Sequence, residues 1–194
     1  DNFSDFFSSM FGSGGRQGKT KFRGQDINAT LEIKQSEAFK THKQTLTIKG
    51  KNVRITIPAG VEHGQVIKLM GYGSEGINGG PPGDIYITFQ IKNDTEFKRS
   101  VNDLYYSIEI DLYTAVLGGD VTIDTLHGKL KLKVKPETQN NTRIRLKGKG
   151  FPVYKSENKF GDLYITYSVK LPVNLSENEK ELFTDLSKLA HGKH

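Results

Sequence analysis

The stretch Gly83-Asp84-Ile85-Tyr86-Ile87-Thr88 returns later in the chain as Gly161-Asp162-Leu163-Tyr164-Ile165-Thr166. The sequence before each stretch repeats as well, since Leu31-Glu32-Ile33 matches Ile108-Glu109-Ile110 at a shift of 77 positions. In this alignment glycines fall on glycines and apolar residues fall on apolar residues. Such self-similarity indicates two tandem copies of one fold.

Short runs of alternating apolar and polar residues, bounded by Gly, Pro, Asn or Asp, predict β-strands in both copies. Short helical turns are predicted after the first strand of each copy, at residues 36–39 and 113–117. The sequence therefore predicts a mainly β fold. It consists of two tandem, homologous small β-sandwich domains, at residues 21–97 and 98–172, followed by a C-terminal amphipathic helix.

The composition restricts the chemistry that the chain can perform. The chain has 194 residues, no cysteine and a formal net charge of +6 at pH 7. The lack of cysteine excludes disulfides, thiol catalysis and cysteine-ligated zinc in this chain, and it is compatible with a reducing cytoplasm, the expected location. No apolar run is long enough to span a membrane, so we expect a soluble protein without a membrane partner. Because Asp1 is not a natural start, we expect a fragment of a longer protein.

Residues 1–20 differ from the rest, because Phe3, Phe6, Phe7 and Phe11 stand among serines and glycines. The glycines that follow them would break a helix, so this segment is predicted to be the end of a flexible, Gly/Phe-rich linker. Two roles remain open, an inert tether or a latch that binds the chain's own apolar surface. Four phenylalanines are costly to leave in water, which keeps the latch in consideration.

Residues 173–194 change from strand periodicity to helix periodicity. Ser176 and Glu179 have the spacing of a capping box, in which each side chain bonds the other residue's amide. The following residues form one apolar stripe: Leu182, Phe183, Leu186 and Leu189. Since a helix of about fifteen residues is marginal alone, this stripe is expected to bury against the second domain or against a partner chain.

No catalytic constellation is evident. The five histidines lack the spacing of a metal site, and no nucleophile or phosphate-binding motif is present. Asp84 and Asp162 each follow a glycine at the entry of a strand, where a turn role is favoured over acid–base chemistry. We therefore expect a protein that is not an enzyme and needs no cofactor or metal.

Basic residues alternate with apolar residues in two predicted strands of the second copy, which places the cations of each strand on one face. One interpretation is the solvated face of a half-buried sheet. The other is a docking surface for nucleic acid or an acidic peptide. The residues concerned are Lys129, Lys131 and Lys133 in one strand and Arg143 and Arg145 in the next.

Several motifs resemble the C-terminal region of DnaJ-type co-chaperones. The resemblance covers about residues 21–190 in order, and residues 1–20 look like the end of that family's glycine–phenylalanine linker. The motifs of the first copy are Val53-Arg54-Ile55-Thr56-Ile57-Pro58-Ala59-Gly60-Val61 and Pro82-Gly83-Asp84-Ile85-Tyr86. Those of the second copy are Ala115-Val116-Leu117-Gly118-Gly119, Thr125-Leu126-His127-Gly128 and Arg145-Leu146-Lys147-Gly148-Lys149-Gly150.

The resemblance implies a zinc-free member, similar to CbpA, because no cysteine-rich module interrupts the segment from Phe39 to Val53. It implies that the chain holds unfolded client polypeptide, as a homodimer joined at its C-terminal end, for delivery to a DnaK-type chaperone. The J domain that stimulates the DnaK-type ATPase is not in this sequence, so the chain is not expected to do so itself. DNA binding through the basic strands is the alternative function.

The resemblance also points to a shallow apolar groove in the first domain as the peptide-binding site. Carried over by strand position, its residues are Leu31, Leu46, Ile48 and Ile87. Gln44 stands where the family pattern has a lysine beside the groove, and Lys43 is the cation that could replace it toward an anionic partner. Without the resemblance, these four apolar residues of a β-domain would be assigned to the core.

Overall fold

The computed structural model describes residues 20–192, and the predicted Gly/Phe-rich segment lies outside them except for its last residue. The strands are β1 (Ile27–Lys34), β2 (His42–Ile48), β3 (Lys51–Ile57), β4 (Val66–Leu69), β5 (Ile85–Lys92), β6 (Lys98–Ser100), β7 (Asp103–Asp111), β8 (Gly119–Thr125), β9 (Gly128–Val134), β10 (Arg143–Leu146) and β11 (Leu163–Lys170). The helices are α1 (Gln35–Ala38), α2 (Leu112–Leu117) and α3 (Glu177–His191). The predicted mainly β fold with a C-terminal helix is confirmed, and α1 and α2 lie at the predicted helical turns.

The sequence repeat is visible in the order of the elements. A strand, a short helix, a hairpin and two further strands occur first as β1 to β5 and again as β7 to β11. The strand order β1-β5-β4 in one sheet corresponds to β7-β11-β10 in another. The last strands of the two copies also bury the same positions: Ile85, Ile87 and Phe89 in β5, and Leu163, Ile165 and Tyr167 in β11.

Contacts divide the chain into two compact units that interleave along the sequence. The first unit comprises the described residues up to Glu32, Thr47–Lys51 and His63–Gln90, and the second comprises Ile33–Leu46, Asn52–Glu62 and the chain from Ile91 onward. These units do not follow the consecutive boundaries expected from the repeat, so the domain limits 21–97 and 98–172 stay a prediction.

The four-stranded sheet of the second unit has the order β10-β11-β7-β6. Strand β11 runs parallel to β7, with Tyr164 opposite Tyr105, and antiparallel to β10, with Arg145 opposite Tyr164. Alternation along β7 and β11 directs one set of residues into the core and the other toward the opposite face. The buried set is Leu104, Ile108, Ile110, Leu163, Ile165 and Tyr167.

Side-chain caps define where the two longer helices begin. The Asp111 carboxylate accepts a hydrogen bond from the Thr114 amide at 2.8 Å at the start of α2. At the start of α3 the predicted capping box is present. The Ser176 hydroxyl accepts from the Glu179 amide at 3.3 Å, and the Ser176 amide donates to the Glu179 carboxylate at 2.7 Å. None of the helices in the described residues is long and apolar enough to cross a membrane.

Candidate functional site

Strand β2 divides its side chains between two faces. His42, Gln44, Leu46 and Ile48 are half-buried, whereas the residues between them are exposed. Leu46 and Ile48 therefore share a face with Gln44, as the predicted groove requires. Lys43 is exposed on the other face of the strand, away from Leu46, and its contact with an anionic partner stays a prediction. The two-residue period of a strand sends adjacent side chains to opposite sides.

The burial of Ile87 contradicts its assignment to an accessible groove, because only 2% of this residue is exposed. Ile87 lies opposite Ile67 in the β4–β5 pair and belongs to the core of the first unit with Ile85 and Phe89. The more accessible side chains of β5 are its alternate residues, such as Tyr86. Of the other predicted groove residues, Leu31, Leu46 and Ile48 are half-buried and keep part of their apolar surface accessible.

Ile48 lines a pocket of the first unit, and the volume of that pocket is about 420 Å³. Two exposed apolar side chains of the loop that follows β4 were missed in the sequence. Tyr72 lines the same pocket and is 40% exposed, and Met70, two residues before it, is 77% exposed. The rim also carries charge of both signs, from Lys49, Lys51 and Glu75. The signal in the sequence that points to this pocket is the pair of apolar residues Met70 and Tyr72 among the glycines after β4. The site can accept an apolar side chain with polar groups around it.

The walls of this pocket are held by the β2–β3 turn and by the loop that follows β4. Lys49 and Gly50 both have positive φ, 50° and 74°, as a two-residue hairpin turn requires. The Lys49 ammonium donates to the Gly73 carbonyl. The Gly73 amide donates to the Gly83 carbonyl at 2.8 Å, and a Cβ at Gly73 would lie 2.4 Å from the Gly83 carbonyl carbon. Only glycine fits at position 73.

Asp84, directly before β5, holds the loop that follows β4 in place by hydrogen bonding. Its Oδ1 accepts from the Gly71 amide at 2.8 Å, and its Oδ2 lies 2.8 Å from both the Lys68 ammonium and the Arg23 guanidinium. The hydrogen bond from Lys68, followed by that from the Gly71 amide, lowers the pKa of the Asp84 carboxyl. An ionised carboxylate committed to these donors has a structural role, in agreement with the predicted turn role.

Asp162 repeats this arrangement in the second copy. Its Oδ1 accepts from the Gly148 amide at 2.8 Å, and its Oδ2 lies 2.5 Å from Nη2 of Arg145. The hydrogen bond from the Gly148 amide, assisted by Arg145, lowers the pKa of the Asp162 carboxyl. Across residues 20–192, no group of three or more His, Asp or Glu side chains could hold a metal ion.

The apolar stripe of α3 is accessible along its length. Leu182, Leu186 and Leu189 are 65%, 60% and 67% exposed. Phe183 is half-buried, with its ring centroid 6.5 Å from that of Tyr113 at the start of α2. Within the described residues, the three leucines are therefore not covered by a fold-back of α3 onto the second unit.

The basic strand β9 faces acidic residues on β8. Lys133 lies opposite Asp120 and Lys129 lies opposite Asp124, and the Lys131 ammonium is 2.8 Å from the Asp120 carboxylate. The lysines are exposed on one face, as predicted, but that face carries both signs of charge. Arg145 forms an ion pair with Asp162, whereas Arg143 is exposed on β10. This mixed charge does not favour the DNA-binding alternative.

Comparison with known proteins identifies the family. The family model described as the DnaJ C terminal domain matches residues 17–172. A chaperone protein DnaJ from Caldicellulosiruptor bescii is 44% identical over 140 residues, which cover 72% of this chain and 36% of that protein. The chaperone protein DnaJ of Dictyoglomus thermophilum is 46% identical over 139 residues, covering 72% of this chain and 36% of that protein.

The chain is similar over a longer alignment to the chaperone protein DnaJ of Neisseria meningitidis serogroup C. It is 30% identical over 260 residues and covers 98% of this chain and 69% of that protein. Because this alignment is longer than the 194 residues of the chain, the Neisseria protein has residues within it that the chain lacks. The chain spans little more than a third of the length of the first two relatives.

Proposed function

This chain belongs to the DnaJ C-terminal domain family, and from that premise we propose that it binds unfolded polypeptide as part of a zinc-free, dimeric co-chaperone. The bound client is delivered to a DnaK-type chaperone in the cytoplasm. The family is one of chaperones and not of enzymes, so the chain contributes binding surfaces and no bond chemistry.

The observation that carries the client-binding proposal is the accessible apolar surface at Ile48. This residue shares the rim of a pocket with Tyr72 and shares a strand face with Leu46. Unfolded chains expose apolar side chains, and their transfer from water to such a surface is favourable at roughly 25 cal/mol per Å². Leu31, which is half-buried on β1, remains a further predicted contact.

The zinc-free assignment is supported by the continuity of the β2–β3 hairpin. The chain contains no cysteine, and only Lys49 and Gly50 separate the two strands. A cysteine-rich insertion between Phe39 and Val53 therefore has no counterpart here.

The homodimer is supported by the uncovered stripe of α3. Three leucines that are at least 60% exposed on one helix are costly to leave in water, and a second copy of the helix offers the same surface in return. A dimer presents two client surfaces on one particle. An extended client held at two points gains avidity, which offsets weak binding at each site.

The proposal is tested with reduced, carboxymethylated α-lactalbumin carrying a fluorescent label as the unfolded client. We expect its fluorescence anisotropy to rise on addition of the chain and to persist at high salt, because apolar contacts are not screened as exposed ion pairs are. The native, disulfide-bonded form of the same protein is the control and should not bind. Equal binding of both forms, or complete loss of binding at high salt, would contradict the proposal.

A further inference from the structure

A second pocket lies within the second unit, and its volume is ≈ 700 Å³. Three chain segments line it, namely residues 39–41, residues 58–59 and the loop 152–160, together with His127. The volume lies within the range of about 300–1,000 Å³ typical of ligand pockets. The lining includes none of the residues proposed for client binding on β2, so this pocket is a separate feature.

One wall of the pocket is aromatic and its rings contact one another edge to face. The His127 ring centroid lies 5.0 Å from that of Phe39 and 4.9 Å from that of Phe160, with interplanar angles of 87° and 68°. The Nε2 atom of His127 is 2.8 Å from the Gly150 carbonyl oxygen. Phe160 is 37% exposed, whereas Phe39 is 9% exposed. The wall is thus held in place and still presents an aromatic surface to a ligand.

The loop 152–160 is held in one conformation by its own backbone. The Val153 amide donates to the Lys159 carbonyl at 2.9 Å, and the Ser156 amide donates to the Val153 carbonyl at 3.0 Å. Lys155 and Asn158 have positive φ, 53° and 58°. Non-glycine residues keep such a conformation where the surrounding structure imposes it. The loop therefore provides a preorganised rim.

That rim is predominantly basic. Lys40, Lys155 and Lys159 line the pocket, and Glu157 is the one acidic side chain among its lining residues. None of the three lysines forms an ion pair within the described residues. The Lys155 ammonium lies 5.2 Å from the centre of the Tyr154 ring, a cation–π contact that orients it. A ligand that fits this rim carries negative charge, and one that fits the wall carries an aromatic ring.

We propose that this pocket is a second peptide-docking site, whose occupant is an acidic peptide segment with a single aromatic anchor residue. The ring of the anchor packs edge to face against Phe160 and His127, and the flanking carboxylates pair with Lys155 and Lys159. The combination selects against basic clients, because a like-charged peptide is repelled at the rim. This site acts independently of the client surface on β2 and does not rest on it.

The test uses a fluorescein-labelled peptide in which one phenylalanine is flanked on each side by two aspartates. Two ion pairs of the strength typical at exposed sites amount to about a tenfold change in affinity. Lys155→Glu with Lys159→Glu should therefore weaken binding of this peptide at least about tenfold. Lys129→Glu with Lys133→Glu makes the same change of net charge on β9 and should leave affinity within about twofold. Equal losses in the two variants would overturn the site.

The aromatic contact is tested on the peptide and on the protein. Replacing the peptide's phenylalanine by serine should abolish measurable binding, and Phe160→Ser should weaken it while the circular dichroism spectrum stays unchanged. If Phe160→Ser unfolds the chain, the serine peptide alone decides this point, since it leaves the protein intact. The variant Leu46→Ser with Ile48→Ser should bind the acidic peptide normally. A parallel loss of acidic-peptide and unfolded-client binding in that variant would show a single shared site and refute the proposal.

Discussion

The guanidinium of Arg99 lies over the ring of Phe151, with 3.8 Å between Cζ and the ring centroid. The same side chain donates to the Val61 carbonyl at 2.8 Å, the Gly60 carbonyl at 3.0 Å and the Val101 carbonyl at 2.7 Å. Burial lowers the pKa of Arg99 to about 10. One side chain thus joins the loop after β3 to the strand β6 and to the ring of Phe151 inside the second unit.

Arg99→Met should lower the free energy of unfolding by about 2–4 kcal/mol, because the buried Gly60 and Val61 carbonyls lose their donors. Arg99→Lys should recover less than half of that loss, since one ammonium cannot reproduce the planar fork. Urea denaturation measures both values. Arg143→Met, at an exposed site on β10, is the control and should change stability by less than about 0.5 kcal/mol. A comparable loss in the control would contradict the role of Arg99.

Leu46→Ser with Ile48→Ser should weaken binding of the unfolded client and leave the fold intact, because both residues are half-buried. Anisotropy with the labelled client measures binding, and thermal denaturation measures stability. Val66→Ser with Leu117→Ser removes two other exposed apolar side chains and should leave client binding unchanged. If thermal stability collapses in the β2 variant, the two residues belong to the core and the client surface lies elsewhere.

Ile87→Ala should act on stability. At 2% exposure, truncation of this side chain leaves a cavity and should cost about 2–4 kcal/mol in the free energy of unfolding. Client affinity per folded molecule should stay the same at a temperature where the variant is folded. Urea titration followed by a binding measurement separates the two effects. Weaker client binding with unchanged stability would restore Ile87 to the binding surface.

Leu182→Asp with Leu186→Asp should convert the proposed dimer into a monomer, because two charges would be buried in the contact between helices. Sedimentation velocity measures the change, and suppression of client aggregation should fall with it. Thr184→Asp with Ser187→Asp adds the same charge to the opposite side of α3 and should remain dimeric. Retention of the dimer in the leucine variant would refute the assignment of the stripe.

The carboxylates Asp84 and Asp162 should make stability depend on acid pH. Both have a pKa below the ordinary value, so they stabilise the fold fully above the unfolded-state pKa of about 3.9. That stabilisation is lost as the pH falls through their lower folded-state values. Asp84→Asn with Asp162→Asn should therefore reduce the change in melting temperature between neutral pH and about pH 2. Asp185→Asn, on the exposed surface of α3, is the control. An unchanged acid dependence in the double variant would contradict this role.

Periodicity explains why much of the fold could be predicted. The repeat, the mainly β class, the helical turns after the first strands and the capping box at Ser176 all depend on residues that are close in sequence. The burial of Ile55 and Ile57, matched by Leu132 and Val134, likewise follows from alternation within one strand. These features need no knowledge of which strands are neighbours.

The candidate sites depended on information that alternation does not contain. Alternation shows that Ile85, Ile87 and Phe89 share a face of the strand. It does not show whether the rest of the fold buries that face or leaves it exposed. The aspartates that face the lysines of β9 become visible only when β8 is paired with it. Each of these results depends on the register between strands and not on either strand alone.

The sequence by itself determined the family, the duplicated β architecture and the apolar stripe of α3, because local spacing and motif identity encode them. Only the tertiary structure decided that Ile87 is buried, that the basic face is mixed in charge, and that Phe39, His127 and Phe160 form one wall. Those three rings are far apart in the chain, and their contact arises from packing within the second unit. The physical reason is that burial and charge pairing are properties of neighbours in space, which a linear pattern does not specify.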